Sequence, residues 1–316
     1  MQTNLANVLA TKSPPTQPLK MQIAIIGETG QLARALRREC AKNGLTATPH
    51  GRNKLDLNSP PDLIEKYIDT LETDAIIIAA AYTAVDAAES EEAKAHAVNA
   101  LAPAAIAKAC AKRDIALVHI STDYVFQGRS NRPYPVNAVP DPLNAYGRSK
   151  LAGAKAVLEA HSRAAVLRTS WVYDGRGKNF MTTMLKLGTT RKRINVVSDQ
   201  IGRPTYAGHL AAACLQIAQA LKSNNSQETR GYYHVTDSGA PISWADFAGE
   251  IFKQAQEDLG HKVQVDPIPT SAYPTAAKRP AYSVLDLTRF EQRFGALPDW
   301  REGLEQALVA WSANRA

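Results

Sequence analysis

The sequence predicts an α/β protein, a doubly wound parallel sheet with a smaller C-terminal α/β unit. Three observations support this. Short apolar runs at 22–26, 45–49, 75–80, 115–120 and 164–168 alternate with longer segments of helical period, the pattern of strands joined by crossover helices. The first run ends in Gly27-Glu28-Thr29-Gly30-Gln31-Leu32-Ala33, a glycine turn between strand and helix. The fourth ends in Ser121-Thr122-Asp123, and Tyr146 and Lys150 follow on the next helix.

Bulk properties set the frame. A chain of 316 residues, 45% hydrophobic, has core material for one large or two moderate domains. The formal charge of +7 suits an anionic substrate or cofactor. It is spread along the chain; Arg191-Lys192-Arg193 is the one tight basic cluster and reads as a solvated loop or helix end. No nucleic-acid motif accompanies it, so nucleic acid is not an expected partner. No apolar run approaches membrane-spanning length. Cys40, Cys110 and Cys214 lie far apart in helical sequence and read as buried thiols of a reducing, cytoplasmic compartment. Seven histidines show no ligand spacing, and no catalytic metal is expected. Residues 1–20 hold Pro14, Pro15 and Pro18 without a continuous apolar core. They read as a disordered extension, not a signal peptide.

Strand 22–26 is buried in pattern, and its glycine turn has the Gly-x-x-Gly-x-x-Ala form of a dinucleotide fingerprint, opening a helix to Lys42. Gly27 and Gly30 let the backbone approach a pyrophosphate seated on the helix N-terminus. This makes the sheet Rossmann-type. Strand 45–49 ends at His50-Gly51-Arg52. In this fold an acid there binds a ribose 2′-hydroxyl, whereas Arg favours a 2′-phosphate. Arg52 with no acid beside it predicts NADPH, with NADH possible. Strand 75–80 ends in small residues, and 84–111 reads as two helices breaking near Asn99.

Strand 115–120 delivers Thr122, and the helix opening near Tyr146 puts Tyr146 and Lys150 on one face. Together they form a constellation for protonating a carbonyl oxygen: Thr122 holds the oxygen and Tyr146 exchanges the proton. An ammonium four residues from the phenol is expected to lower its pKa from about 10. Strand 164–168 delivers Thr169 and Ser170 to the same edge. Beyond it, helices are expected over 179–187, 209–221 and 243–259, the last capped by Ser243. Residues 194–197 can return to the sheet, 223–226 form a polar linker, 231–235 is strand-like, and 268–274 reads as a binding loop.

Several segments are more discriminating than these. Ser121-Thr122-Asp123-Tyr124-Val125-Phe126, Tyr146-Gly147-x-x-Lys150-Leu151-Ala152-Gly153 and Arg168-Thr169-Ser170-Trp171-Val172-Tyr173 occur in order. Asp199-Gln200-x-Gly202-x-Pro204-Thr205, Ser271-Ala272-Tyr273-Pro274-Thr275 and Arg279-Pro280 follow. From Met21 to about Trp300 the chain resembles the dTDP-4-dehydrorhamnose reductase family of extended short-chain dehydrogenases/reductases. The resemblance implies NADPH-dependent reduction of the C4 keto group of dTDP-4-dehydro-β-L-rhamnose to dTDP-L-rhamnose, closing dTDP-rhamnose biosynthesis. It implies Thr122, Tyr146 and Lys150 as catalytic residues. On the cofactor it implies Gly27, Thr29, Gly30, Gln31, Leu32, Arg52, Asp56, Leu57, Ala81, Tyr82 and Thr83, besides Tyr146 and Lys150. On the sugar nucleotide it implies Thr122, Asp123, Trp171, Asn179, Gln200, Pro204, Thr205, Ser271, Tyr273 and Arg279, the last as a diphosphate clamp. The chain departs from the family at Ile78, commonly Asn, and at Ala154, commonly Glu. A structural Mg²⁺ is neither demanded nor excluded, and the protein is expected as monomer or homodimer.

The expected division is 1–20 as extension, 21–170 as dinucleotide-binding domain with returning segments at roughly 194–236, and 171–193 with 237–316 as substrate-binding domain. Two alternatives stand beside the reductase. One is an epimerase, dehydratase or other reductase of nucleotide sugars, using the same Tyr and Lys. Dehydratases of the superfamily place an Asp-Glu pair after the Ser/Thr, where this chain has Asp123-Tyr124. The other is a non-catalytic regulatory relative, disfavoured by an intact Thr122, Tyr146 and Lys150.

Overall fold

The computed structural model describes residues 21–223 and 226–314; the expected N-terminal extension and part of the polar linker lie outside them. Five strands fall close to where the apolar runs predict: β1 Gln22–Ile26, β2 Thr46–His50, β3 Ala75–Ile78, β4 Ala116–Thr122 and β5 Ala164–Thr169. With Gly231–His234 they form one parallel sheet in the order β2-β1-β3-β4-β5 and then Gly231–His234. The inner strands β1, β3, β4 and β5 are buried on both faces apart from Gln22 and the half-buried Ile120, as parallel strands must be when helices cover both sides. The edge strand β2 is partly exposed. Along β4, Val118 joins the cluster under the helices Gln31–Lys42 and Ala207–Lys222, while Leu117 joins the cluster under Pro61–Asp69, Ala102–Lys112 and Ala145–Ala160. Ile76 and Ile77 are fully buried on opposite faces of β3, each contributing about 2–3 kcal/mol of transfer free energy.

The sheet order reverses between β1 and β3, since the chain leaves β1 toward β2 on one side and returns to β3 on the other. Open α/β sheets bind ligands outside the strand C-termini at such a switch point. Gly27 stands there with φ of +125°, and a Cβ on it would lie 3.3 Å from the Ala80 Cβ. Only glycine fits both the dihedral and the space.

Three elements differ from expectation. Residues Arg193–Val197 pair in parallel with Gln264–Ile268 in a separate two-stranded sheet. They do not rejoin the main sheet, whose open edge beside β5 is taken by Gly231–His234. Ile194 and Val196 bury one face of that ribbon in a third cluster with Phe247, Ile251 and Trp300. The break near Asn99 is a π-helical turn, Ala97–Leu101, continuous with the helix after it. The helix capped by Ser243 ends at Gln254, and a further turn, Gln256–Leu259, follows. Ser243 caps as expected, in a capping box with Asp246. Leu287, Phe290 and Leu297 pack into a main-sheet cluster, so the C-terminal span contributes to both bodies of core.

Candidate active site

The site lies along the C-terminal ends of β1, β3, β4 and β5. Thr122 closes β4 and is buried. Its hydroxyl donates to Asp123 Oδ1 at 2.9 Å and accepts from the Tyr124 amide at 3.2 Å. The helix Ala145–Ala160 begins at Asn144, whose side chain caps the Gly147 amide at 2.8 Å. Ala154 and Val157 of that helix face the sheet. Tyr146 and Lys150 lie on the same stripe, so both turn toward β4. His119 and Ser121 point from β4 to that side by alternation from Leu117. Both His119 ring nitrogens and the Ser121 hydroxyl are buried without hydrogen-bond partners.

Electrostatics corrects one expectation. The Tyr146 phenol is not lowered: burial pushes it up to about 12, opposed by a hydrogen bond with Thr122. Burial also lowers Lys150 to about 7. Desolvation disfavours the charged form of each, and a lysine near neutrality offers its neighbour little positive potential. Asp123 is raised to about 6 by burial, with Ser283 and Thr122 opposing. His119 is held well below its usual value by burial and by Lys150. The phenol therefore carries its proton at neutral pH, the form an acid needs.

The dinucleotide residues gather at the switch point. Gly30 occupies the N-cap of the helix Gln31–Lys42 in extended conformation, and no side chain caps that terminus, leaving backbone N–H groups suited to an anion. Gln31 donates to the Val172 carbonyl at 3.3 Å, while its Oε1 is buried without a partner. The Thr29 carbonyl accepts from Arg34. Leu32 and Leu57 are core residues; of these two, only backbone is available to a ligand. Arg52 is exposed, and Asp56 accepts from the Asn58 amide at 2.9 Å. Ala81, Tyr82 and Thr83 follow β3. The uncapped terminus, the Gly27 cradle and the unpartnered Gln31 and Ser121 atoms together fit a bound dinucleotide.

The sequence reading missed three residues. Asn99 projects from the π-helical turn, accepting from the Tyr82 amide at 2.9 Å and donating to the Tyr82 carbonyl and Ser149 hydroxyl at 3.0 Å each. It ties the loop after β3 to the catalytic helix. Its signal was the break near Asn99, and π turns commonly mark functional sites. Asp86 receives both Arg279 Nη atoms, at 3.1 and 2.7 Å, and the Ala277 amide at 3.1 Å. Glu28 is the third: a Cβ on Gly51 would overlap its carboxylate. An acid does therefore stand at the end of β2, over the residue before Arg52, supplied by the glycine turn and invisible to a search along β2.

The expected substrate residues are less free than their types imply. Arg279 is pinned on Asp86. Asn179 caps the helix Phe180–Gly188, accepting from the Thr182 amide at 3.0 Å and donating to the Asp174 carbonyl at 2.7 Å. Thr205 is buried and donates to the Ser170 carbonyl at 2.6 Å. Gln200 donates to the Thr270 hydroxyl at 3.0 Å, and Pro204 is buried. Trp171 has a positive φ of +47°, costly for a bulky residue and typical of functional sites. Its ring stacks on Trp244 at 3.5 Å and 11°, leaving it half-buried. Ser271 is exposed and Tyr273 is 62% exposed. The Asn144 amide donates to the Lys278 carbonyl at 2.8 Å, which brings this C-terminal loop to the start of the catalytic helix. Among the described residues no group of three or more His, Cys, Asp or Glu could hold a metal ion.

Comparison with known proteins places this geometry. A family model described as the RmlD substrate binding domain matches residues 21–312. A dTDP-4-dehydrorhamnose reductase of Sinorhizobium fredii is 40% identical over 291 residues, covering 92% of this chain and 97% of the relative. The Escherichia coli K12 protein of that name is 39% identical over 295 residues, 91% of this chain and 97% of its own. The structure of dTDP-4-dehydrorhamnose reductase from Bacillus anthracis, in complex with NADP, superposes with a TM-score of 0.85 at 36% identity, covering 92% of this chain and 99% of that one. The chain belongs to the dTDP-4-dehydrorhamnose reductase family.

Proposed function

We propose that this protein reduces the C4 keto group of dTDP-4-dehydro-β-L-rhamnose with NADPH, giving dTDP-L-rhamnose. The observation that carries the reading is the convergence of Thr122, Tyr146 and Lys150 on one strand-end, beside a glycine turn opening an uncapped helix N-terminus. When bound, NADPH would supply the hydride that the carbonyl carbon accepts. Thr122 and Tyr146 hold the carbonyl oxygen, and Tyr146 releases its phenolic proton to that oxygen, so C=O becomes CH–OH. Lys150, on the same stripe of helix, holds the nicotinamide ribose. The Gly27–Gly30 turn would seat the pyrophosphate on backbone N–H groups, and Arg52 would pair with the 2′-phosphate.

Asp123 and Trp171 are assigned to the sugar side, the Trp171 indole being held by stacking on Trp244 and by close packing against Gly202. Ser271, Tyr273 and Arg279 are assigned to the nucleotide side, with Asn179, Gln200 and Thr205 positioning the wall behind them. Residues 171–193 with much of 237–316 form the substrate-binding unit. Among the described residues no helix is long and apolar enough to cross a membrane. The free, buried Cys40, Cys110 and Cys214 support a cytoplasmic setting. The test is direct: NADPH absorbance should fall when the 4-keto sugar nucleotide is added to the purified protein. No oxidation with that substrate overturns the proposal.

A further inference from the structure

The turn between β1 and its helix holds an acidic residue, Glu28, exposed to solvent. The Gly27 amide donates to the His50 carbonyl at 2.9 Å, which draws this turn against the end of β2. There the Glu28 carboxylate lies directly over Gly51: a Cβ on Gly51 would overlap it, and would lie 3.2 Å from the Glu28 Cβ and 3.1 Å from Asn53 Oδ1. Gly51 is the residue that permits this approach. The exposed Arg52 is the next residue in the chain, so the end of β2 carries an arginine immediately after the position the carboxylate covers.

That strand end is where this fold reads the adenosine ribose of a dinucleotide. A carboxylate there accepts hydrogen bonds from a 2′-hydroxyl and repels a 2′-phosphate; a guanidinium does the reverse. We infer that Glu28 is a specificity-determining residue that opposes Arg52 at the adenosine ribose and narrows the margin of NADPH over NADH. The inference rests on the dinucleotide reading of the site. It goes beyond it by assigning cofactor discrimination to a residue of the glycine turn. An exposed carboxylate within a Debye length of a phosphate dianion changes affinity about 3–10-fold.

The experiment is fluorescence titration of NADPH and NADH, without sugar nucleotide, on wild type, Glu28→Gln and Arg52→Ala, with melting curves to verify folding. In Glu28→Gln the Kd for NADPH should fall about 3–10-fold while that for NADH rises or holds, the gap narrowing at high salt. Arg52→Ala should shift the ratio the other way. Equal changes for both dinucleotides in Glu28→Gln, or no change in either, overturn the inference. The titration contains no sugar, so a protein that shows the ratio shift yet reduces no keto sugar would sink the proposed reaction and leave Glu28's role standing.

Discussion

The two walls of the site are built in opposite ways. The pyrophosphate part of the dinucleotide wall is one contiguous turn, Gly27 to Leu32, whose work is done by backbone and helix terminus. The sugar-nucleotide wall is assembled from segments far apart in sequence, held by side chains on one another: Arg279 on Asp86 across 193 positions and Gln200 on Thr270 across 70. Where the pyrophosphate sits, a backbone site tolerates side-chain change except at its glycines, and side chains such as Glu28 and Arg52 act only at its adenosine end. A side-chain site fails when any tie is cut, and its residues serve structure before they serve ligand. The walls therefore predict different kinds of mutant, and the catalytic residues between them sharpen the contrast.

The largest effect is expected at Tyr146. Tyr146→Phe removes the proton donor and leaves the glycine turn untouched. We expect kcat to fall at least about 100-fold with the Kd for NADPH within about twofold of wild type. A kcat above a tenth of wild type would remove Tyr146 from the acid role.

Next comes the tie between the walls. If Arg279 acts by anchoring its loop to the short helix Val85–Ala88, then Arg279→Ala and Asp86→Asn should each raise KM for the sugar nucleotide about 10-fold. The double mutant should be scarcely worse than either, as coupled pairs behave. NADPH affinity should hardly move. A direct Arg279–diphosphate contact makes the opposite forecast, because Asp86→Asn would release the guanidinium to the ligand and lower KM.

The sequence showed the backbone wall well and the side-chain wall poorly, for physical reasons. Strands buried on both faces read as apolar runs, and the Gly27 turn is local, so its neighbours in space are its neighbours in sequence. Ser243 announced its helix because capping is satisfied within three residues. Glu28 over Gly51 and Asp86 under Arg279 are tertiary meetings with no local trace. Asn179 and Thr205 were named by resemblance, but their hydrogen bonds to nearby backbone explain their presence without any ligand. The direction of the Tyr146 shift is not legible in the sequence, because spacing reports which charges are close, not how deeply they are buried.

Burial of Lys150 makes a stability forecast with a definite sign. Its pKa is lowered from 10.5 to about 7, so between those values the unfolded chain holds a proton that the folded chain does not. Stability then rises with pH across that window, and the full penalty is present below about 7. Lys150→Met, which abolishes the role in catalysis, should raise Tm near neutral pH by about 3 °C or more. The advantage over wild type should shrink as pH approaches 10. Melting curves of both proteins across this range provide the check, and a difference independent of pH would mean the ammonium is not desolvated.

The smallest effect separates ligand contact from scaffold at Asn179. Its oxygen already accepts from the Thr182 amide, the Thr182 hydroxyl accepts in return from the Asn179 amide at 3.1 Å, and its amide nitrogen donates to the Asp174 carbonyl. Asp174 is in turn the buried partner of Arg38, at 3.3 Å, from the helix of the dinucleotide turn. Loss of the cap costs about 1 kcal/mol, or about 1–2 °C in a chain of 316 residues. Asn179→Ala should show that loss of Tm with KM for the sugar nucleotide unchanged, and Asn179→Ser, which can still cap, should recover most of it. If KM rises in both variants while Tm holds, the side chain reaches the substrate after all, and even this firmly tied residue belongs to the binding wall.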